Sequence, residues 1–150
     1  CLVGSEMCIR DRLDKIFIQY NQKADSKDLY LNTVKTDATA VFDEKWTLEA
    51  LCNIVDNAIK YTVTGGISIN VIVYEFFVRI DISDTGIGIS DNEHEKVFSR
   101  FYRSEKVNTT EGVGIGLYLA RKIITGENGY IKVSSLPEHG STFSVFLSKL

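Results

Sequence analysis

Two alternating runs constrain the fold most. Ile67, Ile69, Val71 and Val73 alternate with other partners, and Val78, Ile80 and Ile82 repeat the pattern after a short break. Side chains on a strand point to opposite faces with period two, so the runs read as a strand pair, joined as a hairpin, with one apolar face that needs a cover. Ser68, Asn70, Glu75, Arg79 and Asp81 keep the stretch short of the roughly 18 consecutive apolar residues that a membrane-spanning helix needs.

Helices supply the cover. Apolar residues recur at helical intervals in 13–27, in 45–62 and after Gly116, where Leu117, Leu119, Ala120, Ile123 and Ile124 lead to a turn at 126–129. Short strands are expected at 28–33 and 38–42, and two closing strands around Ile131, Val133, Phe143, Val145 and Leu147. That order predicts an α+β domain, a two-layer α/β sandwich whose mixed, mostly antiparallel sheet is covered on one face by about three helices. Between them, 84–111 is a long polar, glycine-bearing segment with a short helical pattern at 93–101, and loops of this length usually carry function or move.

A chain of 150 residues is expected to form one domain, and 44% apolar residues exclude disorder throughout. Seventeen basic against 20 acidic residues give a net charge of −3, so no broad basic field exists for nucleic acid or an acidic membrane surface. Any bound anion must be held locally. Three cysteines, Cys1, Cys8 and Cys52, cannot close an even set of disulfides, which favours a reducing, cytoplasmic setting. The first twelve residues, CLVGSEMCIRDR, match neither a secretory signal nor the pattern that follows, so 1–12 is expected to be a foreign or disordered leader and 13–150 the domain.

The polar side of the 45–62 helix is unusual. Steps of about 100° per residue place Glu49, Asn53, Asp56, Asn57 and Lys60 within an arc of roughly 100°, opposite Leu48, Leu51, Val55, Ala58 and Ile59. Asparagine is a poor interior helix former, so Asn53 and Asn57 one turn apart suggest a ligand, although a solvated face also explains the spacing. Amide oxygens can hold Mg²⁺ beside polyphosphate without adding negative charge, and Lys60 could meet an anion. Gly112-x-Gly114-x-Gly116 opening a helix suits phosphate, because glycine permits close backbone approach and a helix N-terminus presents free N–H groups; a tight turn is the plain alternative. Asp84 at a strand end could accept a hydrogen bond from an exocyclic amine or merely cap a turn. Gly86-x-Gly88 lacks a third glycine at Asp91, so the dinucleotide-binding fingerprint fails.

In order, these segments resemble the catalytic, ATP-binding domain of sensor histidine kinases, within the gyrase-like ATPases. Leu51-Cys52-Asn53-Ile54-Val55-Asp56-Asn57-Ala58-Ile59-Lys60-Tyr61 is similar to that family's N box, and Asp84-Thr85-Gly86-Ile87-Gly88-Ile89 to its first glycine box. Phe98-Ser99-Arg100-Phe101-Tyr102-Arg103 resembles the F box, Gly112-Val113-Gly114-Ile115-Gly116-Leu117 the second glycine box, and Gly140-Ser141-Thr142-Phe143 the closing motif. The resemblance covers 20–150 and implies a Bergerat-type fold with a long ATP lid.

Carried over, it implies that Asn57 binds Mg²⁺ with support from Asn53, and that Lys60 and Tyr61 line ATP. Asp84 would recognise adenine, with Gly86 and Gly88 against the purine and Thr142 closing that side. Gly112, Gly114, Gly116 and Leu117 would contact phosphates, Arg103 and Lys106 would reach the terminal ones, and Phe98 and Phe101 would anchor the lid. The implied reaction is transfer of the γ-phosphate to a histidine on a separate dimerisation domain, then to a response regulator, in a kinase whose missing N-terminal segments could tether it to the inner membrane. Neither His94 nor His139 fits the acceptor. ATP-hydrolysing relatives carry a glutamate where Asn53 stands, and an amide cannot serve as that general base, which leaves Glu49 one turn earlier to orient an acceptor. The isolated domain is expected to be monomeric. A serine kinase of the anti-sigma type, or a degenerate nucleotide- or partner-binding module, are the alternatives; Glu111 and Val113, where many members have glycine and a hydroxyl residue, are the support for the last.

Overall fold

The computed structural model describes residues 2–3, 6–99, 115–135 and 138–149. A five-stranded sheet has the order β3 (Tyr30–Asn32), β5 (Gly66–Val73), β6 (Phe77–Asp84), β8 (Ser141–Ser148), β7 (Tyr130–Ser135). All its pairings are antiparallel except β3 with β5, so the sheet is mixed as expected. β5 and β6 form the predicted hairpin, with Ile69 opposite Ile82 and Val71 opposite Ile80.

The period-two pattern sets the faces. Ile67, Ile69, Val78, Ile80, Ile82, Phe143, Val145 and Leu147 are buried beneath the helices. Ser83, Thr142, Ser144 and Phe146 alternate to the outer face, where Tyr130 stacks on Phe146 with centroids 4.3 Å apart.

Three helices cover the inner face: α1 (Ile9–Asp25), α2 (Glu44–Lys60) and α3 (Gly116–Gly126). The central helix, α2, is fixed at both ends. Asp43 caps it by accepting the Trp46 N–H at 2.8 Å, and Lys27 donates to the carbonyl of Ile59 at 2.6 Å near its C-terminus. Glu127, just past α3, accepts from the Asp43 N–H at 3.0 Å and the Thr47 hydroxyl at 2.5 Å, which ties α3 to the start of α2. Burial raises the Glu127 carboxyl pKa against those donors.

Residues 6–12, expected to belong to a leader, pack against the rest of the chain. β2 (Glu6–Cys8) lies between β1 (Leu2–Val3) and β4 (Thr39–Val41) in a small antiparallel sheet. Ile9 is fully buried, and the Arg12 guanidinium donates to the Glu44 carbonyl at 2.9 Å and its carboxylate at 3.1 Å. The helical pattern at 93–101 is also corrected, to two single-turn 3-10 helices, Asp91–Glu93 and Lys96–Phe98. Among the described residues no helix is long and apolar enough to cross a membrane.

Candidate active site

α2 carries the centre of the site. Asn53 sits against Gly116, the first residue of α3: a β-carbon on that glycine would lie 3.8–3.9 Å from the Asn53 side chain. The amide nitrogen of Asn53 is buried with no hydrogen-bond partner, and the Asn57 amide one turn on also has none among the described residues. The N-cap of α3, Ile115, makes no side-chain cap, and the N–H groups of the helix's first turn lack intrahelical acceptors. Leu117 turns its side chain into the core, leaving only its main chain on this side. The unpartnered Asn53 amide beside the first turn of α3 suits an anion, and an amide oxygen suits a hard cation held next to it.

The other end of the site adjoins the C-terminus of α2. Tyr61 closes the helix with its N–H on the Asn57 carbonyl, and its own carbonyl accepts the Ile87 N–H at 3.3 Å. Asp84, at the end of β6, is held through one oxygen, Oδ1, which accepts the Gly86 N–H at 2.9 Å and the Ser141 N–H at 3.2 Å. Burial pushes the Asp84 carboxyl pKa up, against the lowering effect of those two donors. Its second oxygen remains able to accept. The backbone is packed too closely here for side chains: a β-carbon on Gly86 would lie 2.4 Å from the Tyr61 carbonyl oxygen, and one on Gly140, at φ +83°, 2.1 Å from the Asp84 carbonyl oxygen. Gly88 is buried in the same loop.

Three expected residues are placed differently. Thr142 does not close the side on which Asp84 points; it pairs in register with Ser83 on the outer face, its hydroxyl 2.9 Å from that of Ser83, and Ser141 takes the inner position. Lys60 is paired with Asp56 at 3.2 Å, and Asp56 also takes Lys23 from α1. Burial alone would raise the Asp56 carboxyl pKa, but the hydrogen bonds and charges of the two lysines hold it below the ordinary range. Glu49 is exposed, one turn before Asn53, and lines a cleft of about 320 Å³ between α1 and α2 with Arg12, Lys15, Gln19 and Cys52. Burial pushes the Cys52 thiol up to about 11, so it stays protonated and unreactive at neutral pH.

Phe98 is buried against Phe143 with centroids 5.9 Å apart, and Arg121 lies 4.7 Å over its ring. His94 is held with Nε2 3.2 Å from the Ile89 carbonyl. Arg103, Lys106, Phe101, Gly112, Gly114, Glu111 and Val113 lie outside the described residues. Sequence reasoning missed Ser141 and Ser135. The alternation Phe143, Val145, Leu147 extends back to Ser141 and could have identified it.

Fold and site together define a two-layer sandwich with a half-buried carboxylate near one end of α2 and an unpartnered amide against the start of α3 further back along it. Residues 42–150 match the model of the histidine kinase-, DNA gyrase B- and HSP90-like ATPases. The adaptive-response sensory kinase SasA of Crocosphaera subtropica is 38% identical over 137 residues, 88% of this chain and 36% of that protein. The sensor-like histidine kinase SenX3 of Mycobacterium tuberculosis is 36% identical over 134 residues, 85% of this chain and 32% of that protein. The mycobacterial sensor histidine kinase MprB shares the fold, with a TM-score of 0.87 at 21% identity over 95% of this chain and 97% of that one. The chain belongs to this ATPase family, as an ATP-binding catalytic domain of the sensor histidine kinase kind. It spans about a third of the length of these two curated relatives.

Proposed function

We propose that this chain is the phosphate-donor part of a sensor histidine kinase, binding ATP with Mg²⁺ and presenting the γ-phosphate to a histidine on a separate dimerisation domain, from which a response regulator takes it. The observation that carries the reading is the buried, unpartnered amide nitrogen of Asn53 against the first turn of α3. An unpaired buried donor costs about 1–3 kcal/mol, which a phosphate oxygen would offset.

From Asn53 to Tyr61 is eight residues, or about 12 Å along the helix axis, so phosphates at α3 and a purine beside Gly86 would lie at two ends of one nucleotide. The second Asp84 oxygen would accept the exocyclic amine of adenine. The Asn57 amide oxygen, with Asn53, would hold Mg²⁺, which supplies charge neutralisation at the phosphate oxygens. Phosphoryl transfer asks the protein mainly for positioning and for donors that meet developing charge, and the N–H groups of the first turn of α3 are fixed for that task. With an amide at Asn53 no carboxylate stands there to activate water, which favours transfer over hydrolysis. The domain acts on the cytoplasmic side of a longer kinase.

Calorimetric titration with ATP and ADP, with and without Mg²⁺, tests the binding half. Incubation with γ-labelled ATP and the histidine-bearing domain of the same kinase tests transfer, which must yield an acid-labile, alkali-stable phosphoprotein. Absence of nucleotide binding refutes the reading, and label recovered only as free phosphate or phosphoserine refutes the histidine acceptor.

A further inference from the structure

We infer that Ser135, at the end of β7, is a positioning residue for nucleobase discrimination: its hydroxyl clamps the loop after Asp84 to the Gly140–Ser141 turn and so fixes the direction of the Asp84 carboxylate. The inference rests on the reading of Asp84 as the adenine acceptor.

A serine hydroxyl has one donor and two acceptor positions, and in Ser135 all three are used. Oγ accepts the Ile89 N–H at 2.7 Å, donates to the Gly140 carbonyl at 2.7 Å, and lies 3.0 Å from the Ser141 hydroxyl, which donates to it. The segments it joins are the two that hold Asp84, through the Gly86 and Ser141 N–H groups on Oδ1. A backbone bond from the Glu138 N–H to the Ile87 carbonyl, 2.5 Å, runs beside the clamp and keeps the segments adjacent without Ser135. Loss of the hydroxyl therefore loosens the angle of the carboxylate while the strands stay paired. A hydrogen bond to an exocyclic amine is directional, so the loosened carboxylate loses preference for an amine before it loses affinity for the rest of the nucleotide.

The test compares ADP with IDP, whose base carries a carbonyl where adenine carries the amine. The chain is expected to bind ADP more tightly, and Asp84→Asn to abolish that preference. Ser135→Ala should lower the ADP-to-IDP affinity ratio by about threefold or more while IDP affinity changes little, since a hydrogen bond to a charged group is worth that much or more. Ser135→Cys, similar in shape but a weaker donor and acceptor, should shift the ratio in the same direction and serves if the alanine variant does not fold. An unchanged ratio, or an equal loss for both nucleotides, in folded Ser135 variants overturns the inference while Asp84→Asn still abolishes the preference. A preference that survives Asp84→Asn removes the adenine reading and this inference together.

Discussion

Gly86→Ala tests the base end of the site with the least ambiguity, because the added methyl meets three fixed atoms. It would lie 2.4 Å from the Tyr61 carbonyl oxygen, 3.0 Å from Asp84 Oδ1 and 3.1 Å from Thr62 Oγ1. None can retreat freely. The Tyr61 carbonyl ends α2 and accepts the Ile87 N–H, Thr62 is fully buried with its hydroxyl on the Ala58 carbonyl at 2.7 Å, and Asp84 Oδ1 is held by Ser141. The loop must therefore shift by about 1 Å to regain ordinary contact. That shift stretches the 2.9 Å bond from the Gly86 N–H to Asp84 beyond hydrogen-bond length. Overpacking costs about 1–3 kcal/mol and a bond to a charged group about 1.5–3 kcal/mol; because the two share one displacement, the combined loss is about 2–4 kcal/mol. For a chain of this length that corresponds to a fall in Tm of about 5–15 °C. Calorimetric melting reads the stability, and an ADP titration below the lowered Tm should show weakened binding. A Tm within about 1 °C of the parent chain with unchanged ADP affinity would refute the packing argument.

Asn57→Ala should keep the circular dichroism spectrum and Tm while losing Mg²⁺-dependent nucleotide binding; equal affinity with and without Mg²⁺ in the parent chain would refute the metal assignment. Because burial raises the Asp84 pKa above its ordinary 3.8, the native state holds that proton more tightly, and its contribution to stability falls as pH rises through the window above 3.8. Asp84→Asn should therefore be the more stable form in urea at pH 7 while losing adenine preference, with the gain fading below about pH 4. Asp56 has the opposite sign: its pKa lies below 3.8, so its contribution is present above that value and is lost as pH falls through the lowered pKa. Asp56→Asn should cost up to about 1 kcal/mol at pH 7, less in high salt, and nothing once acid has neutralised the carboxylate; urea midpoints across pH and salt check it.

The layers of the fold were legible because each rests on local periodicity. Alternation at 67–73 and 78–82 assigned the hairpin, and the spacing of Leu51, Val55, Ala58 and Ile59 assigned the buried stripe of α2. The ordered motifs singled out Asn53, Asn57 and Asp84 for the proposed site. What the sequence left out depends on long-range contact. A helical wheel put Glu49, Asp56 and Lys60 in one arc with the asparagines, but α1 divides that arc, taking Asp56 through Lys23 and leaving Glu49 in the cleft beside Gln19 and Cys52. Residues 6–12 lacked a pattern of their own, and only pairing with β4 and the Glu44 partner of Arg12 places them. Ser135 was invisible for the same reason, since its three partners come from two other segments. Thr142 is a different case, because the alternation of β8 already assigns it to the outer face.

Asn53, Asn57 and Asp84 share a thermodynamic property that Lys60 lacks. Among the described residues the Asn53 amide nitrogen is buried without a partner, the Asn57 side chain shows no hydrogen bond, and burial disfavours the Asp84 charge, so a ligand completing their bonds displaces no protein partner. Binding by such groups stabilises the chain by linkage, about 2.7 kcal/mol at a ligand concentration 100 times Kd. Lys60 begins from a satisfied pair with Asp56 and must exchange one anion for another. Lys23 stays on the same carboxylate and keeps it from being left bare, so the exchange is feasible, but the net gain is only the difference between two ion pairs. Removing a charge that merely changes partners should therefore weaken nucleotide binding less than removing an amide that has no other partner. Measured side by side with ADP and Mg²⁺, Lys60→Met should show a smaller loss of affinity than Asn57→Ala, and a loss as large or larger would mean that Lys60 meets the phosphates without first surrendering Asp56.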